Sequence, residues 1–254
     1  MAEAEEDFPP VSELFICREY TPKTYTFQPP ASAPSLPPVS VTLDTLEAAS
    51  TDFDLTGQIV WSVSVLVSQY LAFAAAAEVV AAGCVLELGA GCGLCGLTAA
   101  ALGARRVVLT DNEPEVLGLL QRSVARYPAA SVAELSWGEA ASHAALEGAT
   151  GLAQYPLLLG ADVIYWSHAV PQLFEAVARL LAPGGVFILG FTNRRNGLQA
   201  AAEDAARGAG LAWTVVDPAS FLPSPVPDIM SKQLHLVTLY RMTRGGSGGA
   251  GARE

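Results

Sequence analysis

The sequence predicts an α/β fold, a doubly wound and mostly parallel sheet of seven strands with a small N-terminal β-hairpin extension. Three observations predict it. Short, mostly apolar runs alternate with helix-forming stretches. Such runs are typical of parallel strands covered on both faces, and a glycine-rich turn follows the first run of the main domain. The chain has 254 residues, of which 51% are hydrophobic, so it has enough material for one large domain.

The elements follow in order along the chain. Two runs with strand-like alternation, 14–28 and 39–46, flank the proline-rich stretch 29–38 and predict the hairpin. The alanine- and leucine-rich stretch 56–80 predicts one helix that ends before Gly83. The remaining strands are predicted at 84–89, 106–111, 131–137, 156–165, 185–192, 212–217 and 234–242, with helices at 96–104, 113–127 and 169–185.

These elements divide the chain into three segments. An N-terminal extension with the proline-rich loop covers 1–54, the main domain covers 55–243, and a glycine-rich tail, 244–254, is expected to be disordered. The acidic N-terminus lacks the basic region of a secretory signal, and polar residues recur through the apolar run 59–82. We therefore expect a cytoplasmic protein without a membrane segment.

The composition restricts the partners. A net charge of −11 disfavours nucleic acid, whose phosphates require clustered Lys and Arg, and suits a basic protein partner. The four cysteines do not form a disulfide framework in a chain of this length. Cys92 and Cys95 form a C-x-x-C pair, but they lie inside the glycine turn, so we expect small residues filling a tight turn and no metal site. We expect a monomer.

The stretch 85–96, VLELGAGCGLCG, contains two glycine patterns. Gly91, Gly93 and Gly96 have the spacing of a dinucleotide-binding turn, and Glu87, Gly89, Gly91 and Gly93 have the spacing found in S-adenosylmethionine enzymes. In both patterns glycine lets the backbone turn sharply and approach a ligand closely.

Two carboxylates help to distinguish a dinucleotide from S-adenosylmethionine as the ligand. Asp111 ends the next predicted strand, where a carboxylate accepts hydrogen bonds from both hydroxyls of a ribose, and this suits either ligand. A dinucleotide also requires a helix N-terminus for its pyrophosphate, whereas S-adenosylmethionine has an amino-acid end and a sulfonium cation. We expect Glu87 to tolerate these better than a phosphate, so it favours S-adenosylmethionine.

A second pair of residues lies in LLLGADVIYWSH, 157–168. Asp162 and Tyr165 are predicted at the carboxyl end of a buried strand, facing the same crevice. An amine that accepts a methyl group must first lose its proton, because a free lysine is almost wholly cationic at neutral pH. A carboxylate would position that amine, and an aromatic ring would shield the site and favour the developing cation.

Four motifs in this order resemble the class I, seven-β-strand methyltransferases with their Rossmann-like fold, and within them the protein-lysine methyltransferase branch with a D-x-x-Y motif. They are TGQIVW at 56–61, VLELGAGCG at 85–93, LSWG at 135–138 and LLLGADVIY at 157–165. The segment 191–199 and the first 50 residues match no motif of that family, and these regions would select the substrate.

The resemblance implies a role for each matching residue. S-adenosyl-L-methionine would be the cofactor, and its site would be formed by Trp61, Glu87, Gly89, Ala90, Gly91, Gly93, Asp111, Trp137 and Ala161. Trp137 would lie by the adenine and Asp111 by the ribose. Asp162 and Tyr165 would be the catalytic residues that frame the acceptor nitrogen. No metal is implied.

The sequence therefore predicts an S-adenosylmethionine-dependent methyltransferase that works by in-line displacement at the methyl carbon, and the resemblance implies a protein lysine as the acceptor. A small-molecule N- or O-methyltransferase on the same fold is an alternative, because a fold does not dictate a substrate. Another is a non-catalytic binding protein that keeps the fold, and a third is an NAD-dependent dehydrogenase. Histidine or another nitrogen nucleophile would use much the same pocket, so the acceptor residue stays open, as do the target protein and the number of methyl groups transferred.

Overall fold

The structure is a computed structural model of the chain, and it describes residues 19–46, 53–194, 197–232 and 234–245. Residues 1–18 and 47–52 of the predicted N-terminal extension and residues 246–254 of the predicted tail lie outside these ranges. Arg244, the first residue of the tail predicted at 244–254, instead ends the last strand. All statements below concern the described residues.

The predicted N-terminal hairpin is confirmed. Strands β1 (Thr21–Phe27) and β2 (Val39–Thr45) pair in antiparallel register, and the proline-rich stretch connects them. The hairpin packs on the main domain through the buried side chains of Val41 and Leu43 and through an ion pair of 2.8 Å between Asp44 and Arg126. It therefore forms a separate two-stranded sheet attached to one face of the domain.

The single helix predicted over 56–80 is wrong. A 3-10 turn (Phe53–Gln58) is followed by two helices, α1 (Ser62–Phe73) and α2 (Ala76–Ala82), whose axes differ by 82°. Most of α1 is buried in the core, while Glu78 in α2 pairs with Arg241 at 2.5 Å. Tertiary contacts here override the helix propensity of the alanine run. No single helix among the described residues has the length and apolarity to cross a membrane, although the bent pair α1 and α2 together passes that test.

The main domain alternates strands and helices as predicted. Its elements after α2 are β3 (Cys84–Leu88), α3 (Leu94–Ala101), β4 (Arg106–Asp111), α4 (Pro114–Val124), β5 (Ala130–Glu134), α5 (Ala140–Thr150), β6 (Tyr155–Ala161), α6 (Ala169–Leu180), β7 (Leu181–Thr192), α7 (Leu198–Gly208), β8 (Leu211–Val215), α8 (Asp228–Ser231) and β9 (Val237–Arg244). Helices α5, α7 and α8 were not predicted.

The sheet has the order β5-β4-β3-β6-β7-β9-β8, with β9 antiparallel to both of its neighbours and the other pairs parallel. This confirms the seven-stranded, mostly parallel α/β fold. Helices cover both faces, so each face has its own apolar core. On one face α6 buries Val170, Leu173, Phe174, Val177 and Leu180, the spacing of an amphipathic helix.

The chain runs outward from β3 to β5 on one side of the sheet and continues from β6 on the other. In such sheets the crevice outside the carboxyl ends of the strands at this reversal is the usual ligand site. The strand predicted to reach residue 165 ends at Ala161, because the next residue, Asp162, takes a left-handed conformation with φ of 58°. The segment after β6 therefore turns over the crevice.

Candidate active site

A cavity of about 670 Å³ opens at the reversal point of the sheet. Its wall combines the segment before α1, the turn after β3, and the carboxyl ends of β4, β6 and β7. Of the residues predicted to form the site, those on the wall are Trp61, Gly89, Ala90, Gly91, Gly93, Asp111, Trp137, Ala161, Asp162 and Tyr165. Residues separated by more than 100 positions therefore meet in one cavity.

The glycine turn between β3 and α3 requires backbone conformations that suit glycine. Gly89, Gly91 and Gly93 have φ values of 57°, 53° and 81°. A Cβ on Gly93 would lie 2.4 Å from Leu109 and 2.7 Å from Leu120, so the turn is also closely packed beneath. The sequence pattern thus marks a turn that places its backbone on the cavity wall.

Cys92 of this turn and Cys95 in the first turn of α3 are both buried. Cys92 Sγ lies 3.6 Å from the carbonyl oxygen of Gly57, and Cys95 Sγ lies 3.6 Å from that of Ser64. Burial raises the pKa of the Cys92 thiol to about 12, so it stays protonated and unreactive. Within the described residues, no group of three or more His, Cys, Asp or Glu side chains is placed to hold a metal ion.

Asp111 connects the glycine turn to the end of β4. One carboxylate oxygen, Oδ2, accepts the N–H of Gly91 at 3.0 Å, and Oδ1 accepts the N–H groups of Asn112 at 2.9 Å and Glu113 at 3.3 Å. Burial raises the pKa of Asp111, and these three amide hydrogen bonds oppose the shift. Asp111 therefore braces the turn and also presents a carboxylate on the cavity wall.

Glu87 lies beneath the turn and off the cavity wall. Its side chain is 2% exposed, and Oε2 accepts the N–H of Gly96 in the first turn of α3 at 2.8 Å. The N–H of Cys95 also interacts with this carboxylate. Glu87 thus occupies N–H groups at a helix N-terminus that a pyrophosphate would otherwise use. We give it a positioning role beneath the turn rather than direct contact with a cofactor.

The environment of Glu87 predicts a pH dependence of stability. Burial raises the pKa of the Glu87 carboxyl to about 8, against the hydrogen bonds from Gly96 and Cys95, which lower it. Between the ordinary glutamate pKa and pH 8 the folded protein holds a proton that the unfolded chain has released. The free energy of unfolding therefore falls as the pH rises through that window, by at most about 1.4 kcal/mol per pH unit, and levels off above it.

The substitution Glu87→Gln is expected to remove this contribution, since the amide keeps the acceptor for the Gly96 N–H and does not titrate. Urea unfolding of both proteins across the window measures it. The stability of the glutamine variant relative to wild type is expected to increase with pH. Parallel pH profiles of the two proteins would contradict a buried Glu87 that titrates near pH 8.

Two tryptophans, Trp61 and Trp137, line the cavity. Trp61 is held by a hydrogen bond of 2.8 Å from its indole N–H to the carbonyl of Thr56. The ring of Trp137 lies beside Gly89, where a Cβ would approach it to 3.4 Å, and its carbonyl is 2.8 Å from Nε2 of His143 in α5. This contact between His143 and Trp137 was not predicted, because helix α5, which carries His143, was not predicted.

Asp162 lies beside β7, and Tyr165 lies on the same cavity wall. The Asp162 side chain is 4% exposed, and Oδ1 accepts the N–H of Thr192 at 3.1 Å. Tyr165 is 40% exposed at the mouth of the cavity. Burial, followed by the carboxylates of Asp111, Asp162 and Glu113, raises the pKa of its hydroxyl, so Tyr165 stays neutral at physiological pH.

The structure adds charged residues to the wall that were not predicted. Glu113 and Glu115 flank the start of α4, and Arg194 follows β7 and donates to Asp162 Oδ2 at 2.6 Å. Arg194 lies in the segment 191–199, which matched no motif. Its position directly after a predicted strand was the one sequence signal for it, because the carboxyl ends of parallel strands border the crevice.

The wall is therefore acidic, with one hydroxyl-bearing aromatic ring at its mouth. Four carboxylates, those of Asp111, Glu113, Glu115 and Asp162, face a single guanidinium among the described wall residues. Such a cavity suits a cationic ligand better than an anionic one. The Asp111 carboxylate at the end of β4 fits the ribose of a nucleoside. The Gly96 N–H at the start of α3 is already bonded to Glu87, so a ligand without a phosphate fits this turn better.

Residues 41–202 match the model of the lysine methyltransferase family. The protein N-lysine methyltransferase METTL21A of Danio rerio is 39% identical over 111 residues, and that of Mus musculus is 36% identical over 137 residues. The first match covers 41% of this chain and 47% of the relative, and the second covers 52% and 58%. The chain thus spans about half the length of the curated relatives it matches.

Among solved structures, a TehB-like SAM-dependent methyltransferase from Corynebacterium glutamicum has a similar fold, with a TM-score of 0.52 at 15% identity over 74% of this chain and 90% of that chain. The family match covers more than half of this chain and includes every residue of the cavity wall named above. The chain therefore belongs to the lysine methyltransferase family, as its four motifs predicted.

Proposed function

We propose that this protein is an S-adenosylmethionine-dependent methyltransferase that modifies a lysine side chain of another protein. The observation that carries the proposal is the common cavity: the glycine turn and Asp111 share one wall with Asp162 and Tyr165. A methyl donor held by the glycine turn and Asp111 would face an acceptor held by Asp162 and Tyr165. Membership of the lysine methyltransferase family and the names of its relatives support the same activity.

The residues of the wall fit the donor. The cavity volume of about 670 Å³ lies in the range of small-molecule sites. Asp111 would accept the ribose hydroxyls, the backbone of Gly89, Ala90 and Gly91 would contact the ribose and the amino-acid end, and Trp137 would border the adenine. S-adenosylmethionine supplies, when bound, a methyl group on a sulfonium cation.

The chain's own residues prepare the acceptor. Asp162 is buried and fixed by the Thr192 N–H, so its carboxylate would orient the amine without moving. The neutral Tyr165 ring at the mouth would shield the nitrogen from water and favour the cation that forms on it. Catalysis would thus come from position and from exclusion of water rather than from a strong base.

The mouth of the cavity bears on the class of substrate. A metabolite site calls for a lid, whereas Tyr165 is 40% exposed, which supports an extended substrate such as a protein segment. The net charge of −11 would steer a basic partner to the acidic wall. We propose a cytoplasmic enzyme that acts on a basic protein.

The test has two steps. Calorimetric titration with S-adenosylhomocysteine, the demethylated product, and with NAD measures which ligand the cavity holds. Incubation of lysate proteins with methyl-labelled S-adenosylmethionine then measures transfer, and amino-acid analysis identifies the labelled residue. We expect binding of S-adenosylhomocysteine alone and label on lysine. Binding of NAD instead, or of neither ligand, would refute the proposal.

The variant Asp162→Asn separates donor binding from transfer. Asparagine tolerates the left-handed conformation of this position and keeps an acceptor for the Thr192 N–H, so the fold is expected to persist. The rate of transfer is expected to fall about tenfold or more, because a hydrogen bond to a charged group contributes about 1.5 kcal/mol or more. Affinity for S-adenosylhomocysteine should stay within about twofold of wild type. An unchanged transfer rate would remove Asp162 from the acceptor site.

A further inference from the structure

Arg194 occupies an unexpected place in the cavity. Its Nη2 donates to Asp162 Oδ2 at 2.6 Å, and its guanidinium carbon lies 5.4 Å from the centroid of the Trp61 ring. Among the described residues of the wall it is the one cationic side chain. A carboxylate on one side and an aromatic face on the other therefore hold it in a fixed position.

A fixed cation opposes what the proposed function requires of this cavity. Both the donor and a protonated amine carry positive charge, and like charges at close range repel. The cavity can therefore bind a cationic donor beside Arg194 only if another group neutralises the guanidinium. Asp162 does so: its carboxylate is 4% exposed and lies 2.6 Å from the guanidinium, whose own side chain is 37% exposed.

Arg194 in turn neutralises the charge of the Asp162 carboxylate. Without the guanidinium, Asp162 would be a buried carboxylate whose remaining described partner is the Thr192 N–H. Such a group attracts a cation strongly and raises the pKa of a neighbouring amine. It would bind the acceptor in its protonated form, which has no lone pair and cannot accept a methyl group.

We propose that Arg194 is a positioning residue that neutralises Asp162, so that the carboxylate orients the acceptor amine without holding it as an ammonium ion. The inference rests on the proposed function, because it takes Asp162 as the group that meets the acceptor. It adds a requirement that the four motifs do not contain: Arg194, after β7, sets the charge that Asp162 presents to the acceptor. Tyr165 and the carboxylates of Asp111, Glu113 and Glu115 lie on the same wall and are unchanged in the variants below.

The chain offers a matched control. Arg126 and Asp44 form an ion pair of 2.8 Å with side-chain exposures of 38% and 4%, against 37% and 4% for Arg194 and Asp162. Neither Arg126 nor Asp44 lies on the cavity wall. The substitution Arg126→Gln therefore removes a guanidinium from an equally buried carboxylate elsewhere in the fold, and it reports any general effect of breaking such a pair.

Sinefungin is a probe that does not depend on turnover. It is an analogue of S-adenosylmethionine in which an amine on carbon replaces the methylsulfonium, and S-adenosylhomocysteine carries no charge at that place. The ratio of the two dissociation constants thus measures how much the transfer end of the cavity favours an ammonium ion. Because both ligands need the same folded cavity, a general loss of stability cancels from the ratio.

The experiment is a calorimetric titration of wild type, Arg194→Gln, Arg194→Lys and Arg126→Gln with both ligands over neutral to alkaline pH. For Arg194→Gln we expect the preference for sinefungin to rise about tenfold or more and to persist to higher pH than in wild type, because the unpaired carboxylate retains the proton of the amine. Arg194→Lys keeps the charge and should restore most of the wild-type ratio. Arg126→Gln should match wild type.

Each other outcome has a defined meaning. If Arg194→Gln leaves the ratio and its pH dependence unchanged while S-adenosylhomocysteine still binds, the inference is wrong and the proposed function stands. A similar rise in Arg126→Gln would also overturn it, since the effect would not belong to the cavity. If wild type binds neither ligand, the proposed function fails and the inference fails with it.

Discussion

The substitution Gly93→Ala is expected to lower the free energy of unfolding by about 2–5 kcal/mol. Two costs add at this position. Gly93 has φ of 81°, in the left-handed region where a Cβ costs about 1–2 kcal/mol. The new methyl group would also lie 2.4 Å from Leu109 and 2.7 Å from Leu120, and overpacking of this kind costs about 1–3 kcal/mol.

Gly151 provides the matched control for this prediction. It is also a left-handed residue at a helix end, with φ of 67°, but a Cβ there would meet no atom within 4 Å. Gly151→Ala is expected to cost about 1–2 kcal/mol, from the backbone alone. Urea unfolding of both variants separates the two costs. Equal losses in the two variants would show that the packing beneath the turn relaxes freely.

The substitution Asp111→Ala is expected to weaken binding of S-adenosylhomocysteine about 100-fold. The variant loses the carboxylate that we propose for the ribose, and it leaves the Gly91 N–H without the partner that holds the turn in place. Each unpaired polar group of this kind costs about 1–3 kcal/mol, so the two losses together exceed the cost of one hydrogen bond. Calorimetric titration measures the change directly.

Asp217→Ala is the control for Asp111→Ala. Asp217 also accepts a backbone N–H two residues further on, that of Ala219 at 3.0 Å, but it is exposed and lies away from the cavity wall. This variant should keep wild-type affinity for S-adenosylhomocysteine. If Asp111→Ala binds within about twofold of wild type, the ribose contact is made by another residue.

The glycine turn itself was ambiguous in sequence, because its spacing suits a dinucleotide as well as S-adenosylmethionine. Glu87 favoured the second ligand, on the expectation that an acidic residue tolerates a sulfonium better than a phosphate. In the structure Glu87 instead takes the N–H of Gly96 at the start of α3. It disfavours a pyrophosphate by occupying that donor, so the same residue supports the same ligand for a different physical reason.

Most of the sheet could be predicted because burial of a parallel strand on both faces leaves a continuous apolar run. The first two strands of the main domain agree closely with the predicted ranges. The element ends were less predictable. In place of the one helix predicted over 56–80 the structure has two helices at 82° to each other, and the strand predicted to reach residue 165 stops at Ala161. We attribute both differences to contacts with residues distant in sequence.

Local sequence determined which side chains of this protein end the parallel strands, and therefore that Asp111, Asp162 and the glycine turn would meet at one edge. This works because alternation of strand and helix dictates the side of the sheet on which each carboxyl end lies. Only the tertiary structure decided what those side chains contact. Arg194 reaches Asp162 because β6 and β7 are neighbours, although the two residues are 32 positions apart. Hydrogen bonds and ion pairs of this range depend on strand order and register, which no local pattern encodes.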